Sequence, residues 1–164
     1  MDIQLKQEVR NHKYSLNVLK KFRIIYGTVR QHFRDVEQAC GISGSQLWML
    51  QEIYRTPNIG VSDLADRISI HQSTCSLLVE KLVSKDLVKK VRDIKDHRRV
   101  GLCATDSAIA LLSNAPDPTV GVLNEVLMSM PSDVLLEIDN SLEKIITQLR
   151  TRNDELAVNP IAEP

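Results

Sequence analysis

The sequence predicts a mostly α-helical protein with a winged helix-turn-helix core between N- and C-terminal helical segments. Three observations carry this prediction: apolar residues recur at helical spacing near both ends, two short helical patterns adjoin in the middle, and two β-favouring runs follow them. The chain has 164 residues, 43% of them hydrophobic, which is enough to bury one core. We divide it into a helical segment over residues 1–42, the winged core over 43–106, C-terminal helices over 107–158 and a flexible tail over 159–164.

The first segment is predicted to form one long helix. Its apolar seam follows a three-four spacing and comprises Leu19, Phe22, Tyr26, Val29, Phe33, Val36 and Cys40. Such a helix, ending at Gly41 after about 30 residues, is longer than a small domain can cover. We therefore expect part of the seam to contact another helix or another chain.

The second helix is predicted to begin at Ser43, because Ser43 and Gln46 have the spacing of a capping box. Residues 56–60, which include a proline and a glycine, end this helix and precede a short third one. The inner face of the second helix is expected to comprise Leu47, Leu50, Ile53 and Tyr54.

A turn over residues 69–71 leads to a further helix with one buried face. Cys75, Leu78, Val79 and Leu82 share that face, since they lie at i, i+3, i+4 and i+7. Small hydroxyl residues on the opposite side of the first turn are typical of the second helix of a helix-turn-helix. The residues that point away from the core are Ser73, Ser76, Leu77 and Glu80.

A basic hairpin is predicted next. Two β-favouring runs, 87–91 and 100–104, enclose the polar stretch 92–99, and helices followed by such a hairpin are typical of a winged helix. From Lys81 to Arg99 there are eight basic residues and three acidic ones. A solvated charged surface would explain the run, but its place beside a helix-turn-helix favours phosphate binding.

Two more helices are predicted near the C-terminus. Asp117 and Pro118 supply an N-cap and a first helical residue, with Val120, Leu123, Val126, Leu127 and Met130 following at helical spacing. Ser132 opens the last helix. Its seam repeats the three-four spacing through Leu135, Ile138, Leu142, Ile145 and Leu149.

Charge is segregated along the chain although its formal net charge is zero. Residues 1–42 have a net charge of +4, residues 43–100 of +3 and residues 101–164 of −7. No apolar run is long enough to cross a membrane, and the first residues lack the apolar core of a secretory signal. We therefore expect no membrane partner.

The sequence offers little support for a catalytic, metal or cofactor site. Cys40, Cys75 and Cys103 form no C-x-x-C pair and no disulfide framework, which favours a reducing cytoplasm. The histidines lack paired metal spacing, and no glycine-rich phosphate loop occurs. We expect no enzyme, no metal and no cofactor. Cys75 is either a buried small residue, as its spacing favours, or a thiol activated at a helix N-terminus.

Residues 43–106 resemble the DNA-binding core of the MarR family of bacterial regulators. The matching stretches are V-S-D-L-A from Val61, Q-S-T-C-S-L-L-V-E-K-L from Gln72, D-L-V-K-K from Asp86 and D-H-R-R-V from Asp96, which holds the family's D-x-R wing signature. Thr105 resembles the family's threonine at the strand end. Leu77 and Ala104 depart from the pattern, where relatives often have a basic residue and a leucine.

The resemblance implies a sequence-specific regulator of transcription, more often a repressor, that binds double-stranded DNA with an inverted repeat. A small-molecule effector bound between the helical base and the winged lobes would release the DNA. Members of the family are homodimers joined through their terminal helices. The implied dimerisation residues are Leu19, Phe22, Tyr26, Leu135, Ile138, Leu142, Ile145 and Leu149.

The DNA contacts that the resemblance implies differ in role. Arg98 would enter the minor groove at the wing tip, oriented by a salt bridge from Asp96. Leu77 leaves one contact missing or replaces it by an apolar contact with a thymine methyl group. Ser73, Thr74 and Ser76 would meet bases or phosphates. Further basic contacts are expected from Lys81, Lys89, Lys90, Lys95 and Arg99.

Two other functions remain open at this point. A winged helix can bind a protein through the helix that otherwise reads DNA, although the basic hairpin argues against that function here. An architectural protein would coat DNA without sequence choice, although the zero net charge argues against this alternative.

Overall fold

The fold of this chain is a helical protein with one two-stranded wing, as the sequence predicts. The computed structural model describes residues 2–92 and 100–149. None of the helices within those ranges is long and apolar enough to cross a membrane. The elements are α1 (Asp2–Cys40), α2 (Gly44–Arg55), α3 (Val61–Arg67), α4 (Gln72–Ser84), β1 (Val88–Arg92), β2 (Val100–Ala104), α5 (Asp106–Asn114), α6 (Val122–Met128) and α7 (Ser132–Gln148).

The core lies where α2, α3 and α4 meet the base of the wing. Helix α2 contributes most to it, because α1, α4, α5 and β2 all contact this helix. The predicted inner face is correct except at Tyr54, which is 47% exposed in the last turn of α2, while Met49 is buried. The fully buried side chains include Leu47, Leu50, Ile53, Leu64, Val79, Leu82 and Leu102.

The start of α2 confirms the predicted capping box. The backbone N–H of Gln46 donates to Ser43 Oγ at 3.3 Å, and the Ser43 N–H donates to Gln46 Oε1 at 3.0 Å. The two bonds satisfy backbone donors that the helix itself leaves without partners. Gly44 is needed here because a Cβ atom at this position would overlap the ring of Phe33. Helices α1 and α2 thus approach closely.

The wing is anchored at its base and exposed at its far end. Strands β1 and β2 are antiparallel, with Val88 opposite Ala104 and Arg92 opposite Val100. Val88 is buried, whereas Arg92 and Val100 are exposed. The loop before α3 adds a short third pairing, since the Leu102 N–H donates to the Ile59 carbonyl at 2.9 Å.

Helix α5 is absent from the sequence prediction. It begins after Thr105, whose Oγ1 accepts from the Ala108 N–H at 3.2 Å and donates to the Asp86 carbonyl at 2.7 Å. The Thr105-Asp106 pair is a helix start signal that the strand-end interpretation obscured.

The predicted start of the next helix at Asp117 is wrong. Helix α6 begins at Val122, and Pro118 accepts a hydrogen bond from the Gly121 N–H at 2.9 Å within the preceding turn. Gly121 has a φ of +89°, a conformation that glycine adopts without steric cost. Val120 and Met130, placed by the prediction on this helix, flank it instead, and Leu149 likewise follows the last residue of α7.

Both terminal helices extend beyond the core. Helix α1 has 39 residues instead of about 30, and the first buried side chain along its described part is Val29. Helix α7 has no buried residue. The residues predicted for dimerisation lie on these surfaces: Leu135 and Ile138 are half-buried, and Leu19, Phe22, Tyr26, Leu142, Ile145 and Leu149 are exposed.

Candidate nucleic-acid interface

Helix α4 is held against the core by one face. Its Cys75, Val79 and Leu82 side chains are buried and Leu78 packs beside them, as the spacing predicts. The turn before it is closed by the Ile70 N–H, which donates to the Ala65 carbonyl at 3.0 Å. The opposite face of α4 is therefore left to contact a partner.

The residues of α4 that are predicted to contact DNA differ in their exposure and in their hydrogen bonds within the chain. Ser73 and Lys81 are exposed, and Leu77 is 67% exposed. Thr74 and Ser76 are half-buried, and Ser76 Oγ donates to the Gln72 carbonyl at 2.9 Å, a bond within the helix. Ser76 therefore has to break a bond before its hydroxyl can donate to DNA.

The N-terminus of α4 has no side-chain cap. His71 is the N-cap residue and accepts no hydrogen bond through its side chain, so the first N–H groups of α4 depend on other partners. Such groups suit a phosphate oxygen, and the exposed imidazole of His71 lies beside them. Sequence reasoning missed His71; the signal was the lack of Ser, Thr, Asp or Asn at the N-cap position.

The exposed lysines of the interface differ in their intramolecular partners. Lys90 on β1 forms an ion pair with Glu80 on α4, which links the wing to this helix. Lys85 donates to the Gly41 carbonyl at 2.7 Å and so serves the junction between α4 and α1. Lys81 and Lys89 have no such partner among the described residues. The predicted contacts Lys95, Asp96, Arg98 and Arg99 lie outside the described residues.

Cys75 is a structural thiol. Its side chain is fully buried, and Sγ lies 3.6 Å from the Val61 carbonyl oxygen, to which it donates. Burial raises the pKa of the Cys75 thiol to about 11. The thiolate, which is the reactive form, is therefore scarce at neutral pH.

We expect peroxide to leave Cys75 unoxidised and DNA binding unchanged, because the thiol is buried and its pKa is raised. Cys75→Ala should bind duplex DNA within about twofold of wild type, at a cost in stability of about 1 kcal/mol for the small cavity. Titrations before and after treatment with peroxide check this. Loss of binding after peroxide in wild type, but not in Cys75→Ala, would contradict the structural role.

A cavity of about 450 Å³ lies between α1, α2, the turn before α4 and the start of α6. None of the described residues that line it carries a charge. Ser69 and Asn124 supply polar groups. The apolar lining includes Val29, Phe33, Trp48, Ile70, Leu123 and Leu127. A pocket of this size and composition suits an uncharged small molecule with an aromatic or aliphatic body.

Candidate metal ligands do not converge in the described ranges. Among the side chains that the structure describes, over residues 7–92 and 100–149, no three His, Cys, Asp or Glu residues lie close enough to hold a metal ion.

Comparisons with known proteins converge on one family. A family model for the MarR family matches residues 41–99. The HTH-type transcriptional repressor MdtR of Bacillus subtilis is 29% identical over 66 residues, which are 40% of this chain and 43% of MdtR. The HTH-type transcriptional regulator SarZ of Staphylococcus aureus is 28% identical over 98 residues, which are 58% of this chain and 66% of SarZ. The chain thus spans less than two thirds of either relative.

Similarity to solved structures extends past the winged core. The Staphylococcus aureus MepR-DNA complex aligns with a TM-score of 0.54 and 21% sequence identity, covering 79% of this chain and 94% of that chain. The fold, including helices on both sides of the wing, is therefore shared with that protein.

Proposed function

We propose, from the premise that the chain belongs to the MarR family, that it is a regulator of transcription that binds double-stranded DNA in a sequence-specific manner. The observation that carries the proposal is the common placement of α4 and the wing. The ion pair between Glu80 and Lys90 joins these elements, and Lys81 and Lys89 are exposed on them. A helix in the major groove together with a hairpin at the flanking minor groove would use this surface.

The acting form in this proposal is a homodimer. Helix α7 buries none of its residues within the described chain, whereas helices in proteins gain most of their stability from packing of an apolar face. Pairing its seam with that of a second copy would remove apolar area from water at about 25 cal/mol per Å². Two copies of α4 related by a twofold axis would select an inverted repeat.

Selection from random duplex DNA by the purified protein tests the proposal. Enrichment of an inverted repeat is the expected result. Binding without selection would favour an architectural protein, and lack of binding would favour a module that binds a protein through α4.

Two lysine variants test whether the surface that contains Lys81 contacts DNA. Lys81→Ala is expected to weaken binding to every duplex and to lower the salt slope by about one unit. Lys144→Ala, which removes an exposed cation from α7, should change neither quantity.

Repression released by a small molecule is the finer part of the proposal. The cavity between α1, α2 and α6 joins the helical base to the winged lobe. An uncharged aromatic compound that fills it would favour one distance between the winged cores of the two copies. The spacing of the paired α4 helices would change with that distance. Such a regulator acts in the compartment that holds the chromosome, which we take to be the cytoplasm.

Binding at this cavity has an intrinsic reporter. Trp48 is the only tryptophan of the chain and lines the cavity, so we expect uncharged aromatic compounds to change its fluorescence. Val120→Phe, which places a larger side chain in the same lining, should weaken that response at least tenfold without loss of DNA binding. Release of DNA by a compound that leaves Trp48 fluorescence unchanged would contradict the assignment of this cavity.

A further inference from the structure

The outer face of α4 carries an apolar side chain at its centre. Within α4, all of which the structure describes, Leu77 is the exposed large hydrophobic residue, with 67% of its surface accessible. It packs in no part of the core. Ser73 precedes it by four residues and Lys81 follows it by four, so the three side chains form one row along the helix.

Two polar neighbours of Leu77, Ser76 and Glu80, are engaged within the chain. Ser76 Oγ donates to the Gln72 carbonyl, and Glu80 is paired with Lys90 of the wing. Leu77 has no such internal role, and it lies between two groups that suit phosphates. These are the uncapped N-terminus of α4 and the exposed cation of Lys81. If these two groups contact phosphates, the Leu77 side chain between them faces the base edges in the groove of the DNA.

The major groove offers one apolar group to such a side chain. Each base pair presents hydrogen-bond donors and acceptors there, and thymine alone adds a C5-methyl group. A leucine placed against the other base edges would desolvate polar atoms without pairing them. We propose that Leu77 determines sequence preference by contact with a thymine methyl group. This inference rests on the proposed function and names the base feature that the site selects.

Removal of single methyl groups from the DNA tests the inference. Once selection has identified an operator, each thymine is replaced in turn by deoxyuridine, which lacks only the methyl group. At one thymine of a half-site, wild type should bind about fourfold more weakly, the factor that corresponds to one methyl group withdrawn from an apolar contact. Leu77→Ala should bind the thymine and deoxyuridine duplexes equally at that position.

A second substitution moves the methyl group to another base. When the sensitive pair is replaced by one containing cytosine, methylation of that cytosine at C5 should strengthen binding by wild type and have no effect on Leu77→Ala. Ser73→Ala is the matched control on the same face, and it should retain the sensitivity to the methyl group. Thermal unfolding should be the same for all three proteins, because both residues are exposed.

The possible failures are distinct. If no thymine shows the effect, or if Leu77→Ala shows it as strongly as wild type, the inference about Leu77 is overturned while the proposed function stands. If wild type selects no duplex at all, the proposed function and this inference fall together.

Discussion

Replacement of Leu142 and Leu149 by aspartate is expected to give a monomer that binds operator DNA at least about 100-fold more weakly than wild type. Leu142 is 38% exposed and Leu149 is 57% exposed in the single chain. In a homodimer that pairs the α7 seams, each aspartate would bury a charge without a partner, at a cost of several kcal/mol. The loss of DNA affinity follows because a monomer engages one half-site at a time.

Light scattering measures the mass, and titration of operator DNA measures the affinity. Asn140→Asp with Thr147→Asp is the matched control, since it adds the same charge to α7 on the side away from the seam. The control should remain a dimer. A Leu142→Asp and Leu149→Asp protein that stays a folded, DNA-binding dimer would contradict the proposed interface.

Local patterns predicted the helices of the core because each has its own start or stop signal. The capping box at Ser43 and the spacing of Cys75, Val79 and Leu82 both determine structure through contacts within a few residues. The segment between the wing and α7 was predicted less well. There the start of α6 depends on the positive φ of Gly121. The start of α5 depends on Thr105, whose hydroxyl also donates a hydrogen bond to the Asp86 carbonyl. In the sequence, Asp117 and Pro118 instead predict the start of the helix, because a proline after an aspartate is a common helix start signal.

The candidate site was only partly predictable for a different reason. Its residue types follow from the pattern, and Ser73, Leu77 and Lys81 do lie on the outer face of α4. Contacts between elements cannot be predicted in this way, because a local pattern does not reveal that Glu80 contacts Lys90 ten residues away. The cavity beside Trp48 was equally hidden, since its lining comes from segments spread from α1 to α6.

The wing provides the second large effect expected on DNA binding. Its described part projects from the core with the Arg92 and Val100 pair at its exposed end, and residues 93–99 join those two strand ends. Arg98 falls in that stretch, outside the described residues, and matches the arginine of the D-x-R signature. Arginine is suited to a narrow minor groove, where A·T-rich sequence deepens the negative potential.

We expect Arg98→Ala to weaken operator binding by about 5- to 150-fold, equivalent to about 1–3 kcal/mol. The preference for A·T pairs that flank the half-sites should flatten as well, because the missing guanidinium is the group that senses groove width. Lys89→Ala is the control, since Lys89 is exposed on β1 and has no intramolecular partner among the described residues. It should weaken all duplexes alike and lower the salt slope by about one unit.

Lys90→Ala, also expected to weaken all duplexes alike, is a poorer control because it leaves Glu80 without its partner beside the phosphates. That unpaired carboxylate would add repulsion of its own to the loss of a cation. Titrations of the Arg98→Ala protein at several salt concentrations, with operator and with random duplex DNA, distinguish minor-groove readout from phosphate neutralisation. Equal losses on both duplexes for Arg98→Ala would refute minor-groove readout and make Arg98 one more phosphate contact, because a group that only neutralises phosphate cannot distinguish one sequence from another.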